Sequence, residues 1–515
     1  MTLSFHVDGR EVAVDDDGAS LLEVLRDRLG IRSPKDGCAP QGQCGCCTVL
    51  VDGQPRVACV TPARRVAGRT VTTLDGFAEA DRRAWTEAFA DSGGSQCGFC
   101  TPGIIVRLAA LHAAGGADVD TALLAHLCRC TGWQGVKEAF AAVAAGSPPA
   151  CSPGDRDLDA ARRRALLEGG AAQDVGAAVA LGQGGFADDT APADALVAVP
   201  DGRGGWSVGH TLSEARAAAG KVQGRRSTIA LTHPLDVPPG DWALTLRTTW
   251  VEPAYLEPDA SWCAPGGEPA SPLGNGGAFG AKLASAAPAA ARRLAGQHGR
   301  PVRVLLSRED VVRTGPKRPP IAAGVRPDGT GVLRIARTPG IAAAVACVAP
   351  GLVVEEVDVA GPPTSAAIRA AGWAEAAVLL AAARGDAAVT APSGARAEAA
   401  VEAGGSITVR LCCGDPLDEV VLRSYCVGAA HMALGWVRSE GVAVGPDGVP
   451  HDLTIRSFGI LRARDMPEVH VEIVERSGPP MGVSDAVFAA VAAAAWQADG
   501  YPPVWPTRPA GMVGR

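Results

Sequence analysis

A chain of 515 residues is long enough for more than one domain, and a hydrophobic fraction of 47% is enough to bury ordinary cores, so a disordered chain is excluded. A net charge of −7 offers no basic patch, which excludes nucleic acid as a partner. The N-terminus lacks a charged region followed by an apolar run, no charge-free apolar stretch reaches bilayer length, and free thiols suit a reducing compartment; the expectation is a cytoplasmic protein with no membrane partner.

Leu3 to Val7 and Val12 to Val14 flank Asp8-Gly9, a dipeptide suited to a tight hairpin turn. Ser20 can cap a helix through Arg28 that places Leu21, Leu22, Val24, Leu25 and Leu29 on one face and ends at Gly30. A cysteine loop runs from Gly37 to Cys47. A second hairpin, Thr48 to Val51 and Arg56 to Ala58 around Asp52-Gly53, then brings Cys59 back toward that loop. Small strands and one helix in this order predict a ferredoxin-like β-grasp domain over 1–76.

From Gly76 the apolar period changes to three and four: Trp85, Ala88 and Phe89, then Ile104, Ile105, Leu108 and Leu111, then Leu123, Leu124 and Leu127, then Val136, Ala139, Phe140 and Val143. Four helical stretches predict a four-helix bundle over 77–145, with Pro102 in a first turn where its missing N–H costs little. His112 and His126 read as surface or helix-packing residues. Cys97, Cys100, Cys128 and Cys130 fall at helix ends, and four such thiols point to a metal rather than to disulfides. A zinc ribbon spaces both of its pairs by two to four residues, whereas Cys128 and Cys130 are one apart; that tight loop suits an iron-sulfur cluster, with structural zinc as the alternative. Cys38, Cys44, Cys47 and Cys59 are spaced C-x5-C-x2-C-x11-C, one residue longer in the first gap than the plant-type ferredoxin pattern. Two sets of four thiols predict two [2Fe-2S] clusters.

The order of ferredoxin loop, then Gln96-Cys97-Gly98-Phe99-Cys100-Thr101-Pro102-Gly103, then Leu127-Cys128-Arg129-Cys130-Thr131-Gly132 resembles the iron-sulfur domains of the xanthine dehydrogenase and aldehyde oxidase family of molybdenum hydroxylases. The resemblance covers 1 to about 145. It implies ligation by Cys44 rather than Cys46, which stands where the family has a small non-ligand residue and reads as a buried or exchangeable thiol. Gln96, directly before Cys97, would lie between the second cluster and a pterin, its amide donating and accepting; the plain alternative is a loop amide.

Residues 146–190 read as a linker, from Gly146-Ser147-Pro148-Pro149 to Gly182-Gln183-Gly184-Gly185, the latter with no strand before it to make a phosphate loop. No room remains for a flavin domain. Within 191–515 several fragments resemble a shortened molybdopterin-binding region. Trp250 to Pro258 is similar to a segment approaching the cofactor. Gly276-Gly277-Ala278-Phe279-Gly280-Ala281-Lys282 is similar to a Gly-rich loop against the metal, with Gly277, Ala278 and Phe279 as cofactor-binding positions and Ala281 where a second glycine is usual. Leu283 stands where purine-oxidising members carry a carboxylate, which disfavours purines.

Arg369, in Ile368-Arg369-Ala370-Ala371-Gly372, matches a substrate-side arginine or else is a solvated charge on the helix that Trp373 to Ala382 predicts. Ser424 to Gly435 reads as a buried helix, and Cys412 and Cys413 as core thiols. In Gly482-Val483-Ser484-Asp485-Ala486 the catalytic base position is Asp485, one methylene shorter than the family's glutamate; alternatively Asp485 caps the helix over Ala486 to Gln497. About 325 residues stand where the family uses well over twice that number, the gap falling between Gly372 and Tyr425, and no Gly-Gln-Gly pterin-gripping loop is present. The expectation is an α+β multidomain oxidoreductase that oxidises an aldehyde or N-heterocycle at molybdenum-molybdopterin, passes electrons through two clusters to a separate FAD-binding subunit, and has an incomplete catalytic pocket. The rivals are an electron-transfer protein with a degenerate, molybdenum-free C-terminal region and a zinc-stapled scaffold.

Overall fold

The computed structural model of the chain describes residues 2–146, 156–220 and 229–508. Strands β1 (Thr2–Val7) and β2 (Arg10–Asp15) form the first hairpin, and Asp8 and Gly9 both take the positive φ that its turn requires. Alternation along β1 sends Leu3, Phe5 and Val7 inward. With β3 (Thr48–Val51), β4 (Gln54–Val57) and β5 (Thr70–Thr72) they make a five-stranded sheet of order β2-β1-β5-β3-β4, in which β1 and β5 are parallel. Ser20 Oγ accepts from Glu23 N at 3.2 Å, and the helix it caps runs as Leu21–Glu23 and then a wider-wound turn over Val24–Arg28.

Three full helices follow, Glu79–Asp91, Thr101–Ala113 and Gln134–Ala144. The third predicted stretch is shorter than its apolar spacing implied. It forms Val119–Ala122 and a 3-10 turn Leu123–Ala125, because the chain then leaves helical geometry for Leu127 N to donate to Cys44 O at 3.0 Å. His112 packs edge-on to Trp85 and Phe140, and His126 is buried with Nε2 3.0 Å from Thr48 Oγ1, so both serve packing.

The linker expected over 146–190 is corrected by the structure over its described part, 156–190; residues 147–155 lie outside the described residues. A capped helix, Leu158–Gly169, buries Ala160, Ala161, Arg164, Ala165 and Glu168 at spacings of three and four. Its buried face looks polar in sequence because Arg164 and Glu168 satisfy each other, with 3.0 Å between Nη1 and Oε1 and no exposure of either. Gly182 likewise is packed, its carbonyl accepting from Lys35 Nζ at 2.9 Å.

Among the described residues the remainder contains three four-stranded sheets. The first has order β7-β6-β10-β9, built from β6 (Leu196–Pro200), β7 (Trp206–Gly209), β9 (Ala260–Cys263) and β10 (Val302–Leu305). The second, β13-β12-β11-β8, uses β8 (Leu244–Arg247), β11 (Ile321–Val325), β12 (Gly331–Ala336) and β13 (Leu352–Val357). The third, β14-β15-β16-β17, uses β14 (Ala388–Thr390), β15 (Arg396–Val401), β16 (Ile407–Cys412) and β17 (Val469–Glu475). Cys413 is buried at the end of β16 and Cys412 is half-buried.

Helices Trp373–Arg384, Glu419–Arg438 and Ser484–Ala498 form the central core. Glu419–Arg438 is long and apolar enough to cross a membrane, but 89% of its apolar window is buried inside the protein. There Trp436 stacks on Phe488 with 5.1 Å between centroids, and the Arg318 guanidinium lies 4.3 Å from the Trp436 ring. Ion pairs with buried cations and half-buried carboxylates bind the cysteine-bearing domains to the rest of the chain. Arg26 meets Asp188 at 2.6 Å, Arg303 meets Asp27 at 2.9 Å, and Lys35 pairs with Asp189.

Candidate cluster sites and the cavity beside them

In the first loop the thiol of Cys38 adjoins those of Cys44 and Cys59, and Cys59 adjoins Cys47, so the four form one contiguous set. Backbone amides point at them: Gln41 N donates to Cys38 Sγ at 3.2 Å and Cys59 N to Cys47 Sγ at 3.5 Å. Such donors stabilise thiolate sulfur. Cys46, also buried, adjoins Cys44. Gly37 is required for close approach, since a Cβ there would lie 3.0 Å from Cys46 Sγ and 3.1 Å from Cys44 Sγ.

The second set divides into pairs. Cys97 and Cys130 Sγ are 3.8 Å apart, and Cys100 adjoins Cys128, whose Sγ is 3.2 Å from Thr131 Oγ1. Two sulfurs bound at about 2.3 Å to one tetrahedral metal lie about 3.8 Å apart. Among the described residues no group of three or more His, Cys, Asp or Glu converges on a single ion. Two thiols for each of two irons is the donor set of a [2Fe-2S] cluster, whereas a zinc site draws all four to one point.

Cys97, Cys100 and Cys130 line a cavity of about 280 Å³ whose other walls carry Phe279, Arg369 and Asp485. The Gly-rich loop reverses at Phe279 and Gly280, both at positive φ, and Gly280 is pressed so closely on the Ala367 carbonyl that a Cβ would overlap it. This closure lets Arg369 N donate to Phe279 O at 3.0 Å and sets the guanidinium 5.2 Å from the Phe279 ring. Arg369 is therefore no solvated charge: its side chain is 5% exposed, with Nε 3.0 Å from Asp485 Oδ1 and Nη2 donating to Ser484 Oγ at 3.1 Å. Nor does Asp485 cap its helix, because Val483 holds the cap position and Asp485 is the second helical residue. Its carboxylate is 40% exposed, toward the cavity.

Gln96 reaches the same cavity, its Nε2 donating to Cys130 O at 2.9 Å and to Ser424 Oγ at 3.0 Å. Gly277 and Ala278 complete the wall, and Leu283, 63% exposed, lies at its edge. The structure adds residues that sequence reasoning missed. Asn275 Nδ2 donates to Cys97 O at 2.8 Å, Gln173 Nε2 donates to Tyr425 Oη, and Glu257 Oε2 pairs with Lys282 Nζ at 2.5 Å. Burial pushes the Glu257 carboxyl up to about 7 against the pull of Lys282, and its Oε1 has no partner. Asn275 directly precedes the Gly-rich loop and Glu257 lies within the Trp250 to Pro258 segment, so both were within reach of sequence reasoning; Glu168 and Gln173 lay in the expected linker and gave no signal.

Two family models match the chain, a 2Fe-2S iron-sulfur cluster binding domain over 5–70 and a [2Fe-2S] binding domain over 73–141. The xanthine dehydrogenase iron-sulfur-binding subunit of Escherichia coli O157:H7 is 40% identical over 124 residues, 23% of this chain and 77% of that protein. The chain belongs to the molybdenum hydroxylase family. Against a larger member, the xanthine dehydrogenase of Drosophila pseudoobscura pseudoobscura, it is 36% identical over 172 residues, but these span 30% of this chain and 13% of that one. The aldehyde oxidoreductase from Desulfovibrio gigas shares the fold across both chains, with a TM-score of 0.67 and 15% identity over 96% of this chain and 97% of that one. In this molybdenum hydroxylase family member the two cysteine sets sit where the family's two 2Fe-2S models match.

Proposed function

We propose that the chain is the iron-sulfur component of a molybdenum hydroxylase, with its first cluster on Cys38, Cys44, Cys47 and Cys59 and its second on Cys97, Cys100, Cys128 and Cys130. Electrons from an aldehyde or N-heterocycle oxidised beside the cavity would pass through both clusters to a separate flavin subunit. The observation that carries this reading is that the Cys97–Cys130 pair and the Arg369–Asp485 pair face one cavity. Molybdopterin would supply the two-electron oxidation and the activated oxygen. Of the chain's own residues, Asp485 would accept the substrate proton, Arg369, with Nε 3.0 Å from Asp485 Oδ1, would orient that carboxylate, and Phe279 would pack against the substrate. Leu283 offers a substrate no charge at the edge, in keeping with a neutral molecule other than a purine. The free thiols support a cytoplasmic setting.

The donor sets suit the clusters better than they suit the pterin. A phosphate-bearing cofactor needs unpaired donors and cations, yet the lining cations Arg129, Lys282 and Arg369 each already meet a carboxylate. A cavity of about 280 Å³ is also at the lower limit for a bound ligand. The chain alone therefore does not hold the whole cofactor, and a partner chain would have to complete the site. The same pairing favours the second reading, an electron carrier whose C-terminal region works without molybdenum. Metal analysis and paramagnetic resonance on the purified chain separate these. About four irons with molybdenum appearing only alongside a partner chain supports the first, about four irons with no molybdenum under any condition supports the second, and absence of iron overturns both.

A further inference from the structure

The Ser484–Ala498 helix begins without a cap of its own, since Val483 at the cap position offers no side-chain oxygen. A carboxylate from 315 residues earlier does that work. Glu168 accepts from Val483 N at 3.2 and 3.0 Å and from Ser484 N at 2.8 Å. Arg164, one turn earlier on the Leu158–Gly169 helix, holds Glu168 from behind. It is itself fixed by donating to Met481 O at 2.7 Å, Asp415 O at 2.5 Å and Pro416 O at 2.9 Å. Gly482 is pressed against the same helix end, where a Cβ would come within 2.5 Å of Leu167 O. Residues 482–484 are thus clamped in succession, and the next residue is Asp485.

We infer that Glu168 is a positioning residue for Asp485: its carboxylate, locked by Arg164, fixes the first turn of the Ser484–Ala498 helix and so sets the direction and electrostatic surroundings of the Asp485 carboxylate in the cavity. The amides of a helix N-terminus carry partial positive charge, which Glu168 cancels at the point where Asp485 begins. Other groups facing the pair are Arg369 and Arg318 toward Asp485, and the thiols of Cys413 and Cys426 toward Glu168. Burial raises the Glu168 carboxyl, while Ser484 and Arg164 oppose that rise by binding its anionic form.

The catalytic meaning of this arrangement rests on Asp485 being the proton acceptor proposed above; the arrangement itself does not. Carbodiimide labelling of Asp485 in the full chain, mapped by mass spectrometry across pH, gives the titration midpoint of that carboxyl without turnover. E168Q keeps shape but removes a negative charge and leaves the helix end uncancelled, both of which favour ionised Asp485. Its midpoint should fall by about half a pH unit or more. E168D keeps the charge and should stay at the wild-type midpoint, provided both variants retain visible cluster absorption as a check of folding. An unchanged midpoint in E168Q, with disturbance only in the smaller E168D, would mean that Glu168 merely fills space and would overturn the inference. A chain that takes up no molybdenum under any condition, a partner chain included, and nevertheless shows the E168Q shift would count against the proposed function and leave the positioning intact.

Discussion

The Arg129 guanidinium meets the Glu440 carboxylate through two parallel hydrogen bonds of 2.5 and 2.7 Å, with side chains only 2% and 1% exposed. Arg129 stands between Cys128 and Cys130, and Glu440 lies just beyond the Glu419–Arg438 helix, so this pair fastens the second cysteine loop to the central core. Arg129 Nε also donates to Pro253 O at 3.0 Å. Removing one partner of a buried pair strands the other charge, at a cost of about 3–5 kcal/mol. E440Q should therefore lower stability by that order in denaturant melts followed at the cluster's visible absorption, and the apolar double variant R129M/E440L should be less destabilised than E440Q.

Replacing Cys128 with Ser tests the assignment of the second set. If Cys97, Cys100, Cys128 and Cys130 hold one cluster and Cys38, Cys44, Cys47 and Cys59 another, C128S should lose about half the iron and one of two reduced-state paramagnetic signals. Retention of both signals at full iron would show that Cys128 is not a ligand. The same measurement on C46S should leave both signals in place, because Cys46 stands outside both sets of four and meets Cys44 by a side-chain contact rather than completing either set.

Gly428 illustrates how the central helix accommodates the cluster loop. A Cβ on Gly428 would overlap the carbonyl oxygen of Cys130, a backbone atom that cannot swing aside as a flexible side chain can. G428A should push the loop away from the helix, costing about 1–3 kcal/mol as overpacking does. The second cluster's signal should broaden or vanish while the first cluster's stays; a variant with wild-type stability and both signals would exclude this contact.

His431 gives the core a pH dependence with a definite sign. It is fully buried, its Nε2 is 2.9 Å from Leu461 O, its Nδ1 has no partner, and burial together with Arg129 holds its pKa down to about 4. The unfolded chain binds this proton near pH 6.5, before the folded chain does. The stabilisation is therefore complete above about 6.5 and is lost as pH falls through 4, amounting to on the order of 3 kcal/mol. H431F should flatten the acid limb of a stability-against-pH curve between those values; an identical acid limb in both proteins would refute the assignment.

Local features were legible because local chemistry encodes them. Asp8-Gly9 specifies its turn by backbone freedom, Ser20 caps by a side-chain oxygen three residues from its donor, and the cysteine spacings mark two thiol sets that fall within the ranges of the two family models. Phe279, Arg369 and Asp485 could each be selected from a short motif, but their meeting depends on packing. Arg369 and Ser484 are 115 positions apart, and Arg369 reads as an ordinary charge until the loop at Gly280 closes onto Ala367. Glu168 and Arg164 were unreadable, since an alanine-rich stretch bearing charges beside a Pro- and Gly-containing segment has the composition of a linker. Their burial becomes favourable only when Asp415, Pro416 and Met481 supply carbonyls and Val483 and Ser484 supply amides. By itself the sequence determined two cysteine-rich domains and the residue types of a reactive cavity, because those rest on neighbours along the chain. Which charges are buried, which carboxylate faces the cavity and what holds it there were decided only by the tertiary structure, since the free energy of burying a charge depends on partners brought from hundreds of residues away.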